Sequence, residues 1–114
     1  MQVLIDTNVV LDVLMQRSGY ELSGRVLQMS GKGIIRGFLS ASAVTDIYYI
    51  LNRQMKDRVR TVDSIKTILS LIDVADVTGE DIREALDSGW KDFEDCVQNR
   101  VAVHNHARYI VTRN

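Results

Sequence analysis

The apolar run Val3-Leu4-Ile5 stops abruptly at Asp6-Thr7-Asn8, and no other stretch limits the fold so tightly. A short apolar run closed by turn-forming polar residues reads as a buried strand, covered on both faces like a central parallel strand. Asp6 then stands at the strand's carboxyl end, the edge where open α/β sheets bind ligands. The same residues also have an ordinary use, because Asp6, Thr7 or Asn8 could cap a helix expected over 9–16.

Further short apolar runs alternate with helical periodicities along the chain, which predicts an α/β fold around a mainly parallel sheet. Strands are expected over 36–40, 74–77 and 109–112. A helix over 20–30 ends at Gly31 and Gly33. Another, capped by Ser40 or Ser42, carries Val44, Ile47, Tyr48 and Leu51 at i, i+3, i+4 and i+7. A helix after Asp57-Arg58 bears Val62, Ile65, Ile68, Leu69 and Ile72, and one started by Thr78 or Gly79 bears Ile82, Ala85 and Leu86. The last helix spans 92–106. With 114 residues, no proline and no internal repeat, a single domain is expected.

Fourteen Lys and Arg against fifteen Asp and Glu leave a formal charge of -1, so no global basic field advertises nucleic acid or a membrane. Any polyanion has to be held locally, and Arg53, Lys56, Arg58 and Arg60 form the best local patch for phosphates, although such patches are usually solvated faces. The one cysteine, Cys96, permits no internal disulfide, and no signal peptide or membrane span is read, so a cytoplasmic location is expected.

Three places put an acid where it can face the carboxyl end of the sheet. Asp6 ends the first strand, Asp46 falls near the start of the helix after the second, and Asp92 and Asp95 share a face by i, i+3 spacing. Acids in a first helical turn also suit the helix dipole, which is the plain reading of Asp46, Asp92 and Glu94. Carboxylates gathered in one pocket repel one another unless a cation or protons are present. Oxygen-only donors favour Mg²⁺ or Mn²⁺ over zinc, and such a site suits a metal-dependent nuclease.

The chain resembles the PIN domain, a family of metal-dependent ribonucleases, along nearly its whole length. Ile5-Asp6-Thr7-Asn8 looks like the family's first motif, and 40–46 followed by Ile47-Tyr48-Tyr49 is similar to the second, with Asp46 in place of the usual glutamate. Asp92-Phe93-Glu94-Asp95 with Cys96-Val97-Gln98 resembles the third, and 109–114 the strand and turn before a fourth acid. The resemblance implies a three-layer α/β/α fold with a mainly parallel sheet of four to five strands. It implies Asp6, Asp46 and Asp95 as catalytic metal-binding acids with Asp92 auxiliary, and a Mg²⁺- or Mn²⁺-dependent endoribonuclease cutting single-stranded RNA. It further implies the toxin of a bacterial toxin–antitoxin pair, with an antitoxin protein and a second copy of the chain as partners. The family's fourth acid falls beyond Asn114, so a short C-terminal segment is expected to be lacking.

Thr7, Asn8, Asn99 and Thr112 are supporting hydrogen-bonding residues, with capping and turn roles as the alternative. His104 and His106 point to different helix faces and read as surface or interface residues, and Cys96 reads as core. Tyr48, Tyr49 and the pair Leu14-Met15 offer apolar surface for self-association. Two other readings compete. A phosphotransfer enzyme with Asp6 as nucleophile would carry Asp-x-Asp, where this chain has Asn8; a degenerate domain would bind RNA or a protein without cutting.

Overall fold

The central strand is β1 (Gln2–Ile5), in which Val3, Leu4 and Ile5 are buried. It pairs in parallel with β2 (Arg36–Ser40) on one side and β4 (Tyr109–Val111) on the other, and β2 pairs in parallel with β3 (Asp73–Ala75). This computed structural model describes residues 1–112, and the strand order is β3-β2-β1-β4. Arg113 and Asn114, the end of the fourth motif, lie outside the described residues.

Side chains alternate across the sheet with period two. Ile5 and Leu39 face one core with Val9, Val10, Leu27, Ile47 and Ile68 from α1 (Thr7–Leu14), α2 (Tyr20–Gly31), α3 (Ala41–Met55) and α4 (Arg58–Leu69). Leu4 and Phe38 face the other with Ala85, Cys96, Val97 and Val101 from α5 (Gly79–Asp87) and α6 (Phe93–His104). Two helical layers therefore enclose an all-parallel sheet, the expected α/β/α arrangement with four strands. The crossover direction reverses at β1, whose neighbours β2 and β4 are reached from opposite sides of the chain order. The crevice between the carboxyl ends of β1 and β4 is thus a topological switch point.

Several boundaries differ from expectation, among them the end of α4 at Leu69, which leaves Ile72 outside the helix, and the end of β4 at Val111. β3 is Asp73–Ala75 rather than 74–77, because Ala75 already pairs with Ser40 and the chain of β2 turns there into α3. α1 begins at Thr7 and stops at Leu14, and Gln16 takes a positive φ of 50°. α6 ends at His104: the Asn105 side chain donates to the Val101 carbonyl at 2.8 Å, and His106 leaves the helix with φ 55°.

Leu14 and Met15, expected as spare apolar surface, are half-buried and pack against the first core, whereas Tyr49 is 66% exposed. Cys96 is buried as expected. No helix among the described residues is long and apolar enough to cross a membrane.

Candidate active site

Asp6 has an extended backbone (φ -72°, ψ 149°) at the N-cap position of α1, yet its side chain makes no capping hydrogen bond. Its amide donates to the Val111 carbonyl at 3.0 Å, which locks the carboxyl end of β1 to β4. The capping alternative therefore describes its backbone and not its carboxylate. Thr7 and Asn8 occupy the first turn of α1, and Asn8 Oδ1 accepts a long 3.5 Å hydrogen bond from Arg17.

On the neighbouring strand, Ser40 caps α3, its Oγ accepting from the Ala43 amide at 3.1 Å. Asp46 lies in the second turn of that helix and is half-buried. Asp92 does act as a cap: its Oδ1 accepts from the Asp95 amide at 3.0 Å, so the ordinary reading holds for that oxygen. Glu94 and Asp95 follow in the first turn of α6. That helix leads back into β4, which sets its N-terminus at the sheet's carboxyl edge.

These elements bound a cleft of about 680 Å³ lined by Asp6, Asp46, Asp92, Glu94 and Asp95, together with Thr7, Asn8, Ser42, Tyr49, Phe93 and Gln98. Crowding of like charge is visible at Glu94. Its carboxyl is held above the ordinary carboxylate value, first by the charge of Asp46, then by burial and a hydrogen bond to Asp46, and then by Asp92 and Asp95. A second hollow of about 310 Å³ shares Asp6, Asp95 and Gln98 with the first, and is walled by Trp90, Asn99, Ile110 and Thr112. The four acids Asp6, Asp46, Asp92 and Asp95 and the supporting residues Thr7, Asn8, Asn99 and Thr112 thus each line one or other of two adjoining hollows. The basic patch does not: Arg53, Lys56, Arg58 and Arg60 gather at the far end of α3 and line neither.

The donor chemistry of the main cleft fits a hard divalent cation, since its titratable lining residues are carboxylates and a tyrosine, with neither histidine nor cysteine. Among the described residues, however, no three Asp, Glu, His or Cys side chains close on one point as a finished metal site.

Two contributors were not legible in the sequence. Glu94 reads there as a dipole-stabilising acid, but it meets Asp46 across the cleft. Gln98 Nε2 donates to Ser40 Oγ at 2.8 Å, bracing α6 against the start of α3 across 58 residues of sequence. Its i, i+3 relation to Asp95 is the one signal that could have marked it.

Comparison with known proteins agrees with this architecture. No curated protein matches the chain. Among solved structures, it is similar to Mycobacterium tuberculosis VapC20, a Sarcin-Ricin loop cleaving toxin, with a TM-score of 0.76 and 13% identity over 98% of this chain and 89% of that one. It is also similar to VapBC2 from Rickettsia felis bound to a DNA fragment from their promoter, with a TM-score of 0.74 and 15% identity over 100% of this chain and 89% of that one. At these identities the likeness is one of fold. The family model described as PIN domain matches residues 2–114, and the chain belongs to the PIN domain family.

Proposed function

We propose that this protein is a Mg²⁺- or Mn²⁺-dependent endoribonuclease that cuts single-stranded RNA and serves as the toxin of a bacterial toxin–antitoxin pair. The observation that carries the reading is the cleft at the carboxyl edge of the parallel sheet, where acids from three separate elements face one space. Asp6, Asp46 and Asp95 are the catalytic acids and would hold the cation, and Asp92 would assist through the oxygen its cap leaves over. When bound, the cation supplies Lewis acidity toward the phosphodiester and the water that attacks it.

The chain's own contribution is placement. Asp6 is fixed by a central strand and by its amide bond to β4, and Asp46 and Asp95 by helices that Gln98 ties together. Thr7, Asn8, Asn99 and Thr112 are supporting hydrogen-bonding groups around these acids. The likeness to VapC20, a Sarcin-Ricin loop cleaving toxin, supports an RNA substrate, and the likeness to VapBC2 supports an antitoxin partner. A homodimer and a cytoplasmic location belong to the same reading.

The test incubates single-stranded RNA with the full chain in Mg²⁺ or Mn²⁺, with and without EDTA. Cleavage is expected in the metals, is abolished by EDTA, and is nearly abolished by Asp6→Asn and by Asp95→Asn while both variants melt at or above the wild-type temperature. A second reading, binding without cutting, is favoured by the acids not closing on one point among the described residues. It takes over if the protein binds RNA but neither cuts it nor shows saturable Mn²⁺ binding.

A further inference from the structure

We infer that the smaller hollow, at the switch point between β1 and β4, is a subsite for an unpaired nucleobase next to the cleavage site, with Trp90 as its stacking platform. The inference rests on the nuclease reading and extends it to how the strand is held.

The two hollows meet along a ridge formed by Asp6, Asp95 and Gln98. A phosphodiester held at these acids has the smaller hollow within reach of a flanking nucleotide, since Asp6 and Asp95 line both spaces. The smaller one has the composition of a base site, with an apolar wall of Trp90 and Ile110 and hydrogen-bonding groups from Gln98, Asn99 and Thr112. Asn and Gln amides offer both a donor and an acceptor to a base edge. Gln98 Oε1 is buried and has no hydrogen-bond partner among the described residues, although its Nε2 is held by Ser40. A base N–H supplies what this oxygen lacks.

Trp90 itself is difficult to explain as a structural residue. It is 51% exposed and lies in the loop between α5 and α6, outside either core. Its backbone is nevertheless fixed: Gly89 takes φ 77°, and Ser88 Oγ accepts from the Trp90 amide at 3.3 Å while donating to the Ala85 carbonyl at 2.8 Å. A large indole face held open to solvent on a pinned turn, beside polar groups suited to base edges, fits stacking by a base, which every nucleotide can supply. A duplex cannot use the site without unpairing, so the hollow also selects single strands.

Trp90 is the chain's one tryptophan, so its fluorescence reports the hollow directly. A ribonucleotide tetramer is titrated into the full chain in Ca²⁺, which neutralises the ridge of acids, and compared with the same tetramer made abasic. The base-bearing strand should quench the fluorescence saturably and the abasic strand should not. Trp90→Ala should weaken tetramer binding, read by anisotropy, about 5- to 150-fold, and Trp90→Phe should restore most of it. Quenching by bases in a protein that never cuts RNA would remove the nuclease reading and leave the subsite. Cleavage with unmoved fluorescence and an unchanged KM in Trp90→Ala would overturn the subsite and leave the nuclease.

Discussion

Replacing Ser40 with alanine removes one atom from the seam that joins the two acid-bearing helices, and its cost can be assembled from the contacts. Ser40 is 0% exposed, and its Oγ accepts from the Ala43 amide, accepts from Gln98 Nε2 and lies 3.1 Å from Ser42 Oγ. Loss of an N-cap costs about 1 kcal/mol. A Gln98 donor left without its partner adds about 1–3 kcal/mol. The sum, about 2–4 kcal/mol, lowers the melting temperature by about 8–16 °C at about 4 °C per kcal/mol for a domain of this size. Gln98→Met alone should cost about 1 kcal/mol, because Ser40 keeps its other bonds. In the double variant the orphaned amide is gone, so urea denaturation of all four proteins should show a coupling of about 1–3 kcal/mol. Costs that add to within about 0.5 kcal/mol would refute the brace.

Glu94→Gln should change how stability depends on pH in the metal-free protein. The folded state raises this carboxyl above its ordinary value, so its protonated form is favoured by folding and its contribution is full below about pH 4.5 and lost as pH rises through the folded value. Melts of the two proteins in EDTA should coincide at the acid end and diverge above it, with the glutamine variant the more stable; parallel curves would sink the account. Gly37→Ala should destabilise by about 1–3 kcal/mol, since an added Cβ would meet Ile5 Cδ1 at 2.7 Å and Ser30 Oγ at 3.0 Å inside the sheet layer. A urea midpoint unchanged from wild type would show that the core yields there at no cost.

What the sequence discloses is whatever lies along one element. The burial of β1 on both faces writes itself as an unbroken apolar run, and the helix caps Ser40, Asp57, Thr78 and Asp92 are local signals that the structure uses as caps. Contacts between elements leave no such trace. Asp81 lies in the first turn of α5 and closes a capping box with Thr78. It is also 1% exposed and meets His104 Nδ1 at 2.6 Å; His104 lies on the surface as expected, and what its own position does not announce is this contact between α5 and α6. Nothing at either position foretells the other, because neither periodicity nor capping chemistry couples residues on different helices. The seam of Ser40 and Gln98 was hidden for the same reason.

The acids pose the opposite difficulty, since each has a sufficient local explanation and only their convergence does not. Asp92 is a working cap, Glu94 and Asp95 suit the positive end of α6, and Asp6 stands where a cap belongs. Local benefit would be satisfied with these helix starts anywhere on the surface. A parallel sheet instead brings to one edge the starts of helices that follow its strands and of a helix that leads back into one, and here that edge collects five carboxylates round one cleft. Glu94 carries the mark of that gathering, since the charge of Asp46 beside it is the first cause that raises its carboxyl. Asp6 supplies the clearest sign of purpose: it has the N-cap backbone and yet makes no capping bond with its side chain, so the stabilisation nearest to hand is not the one its carboxylate takes.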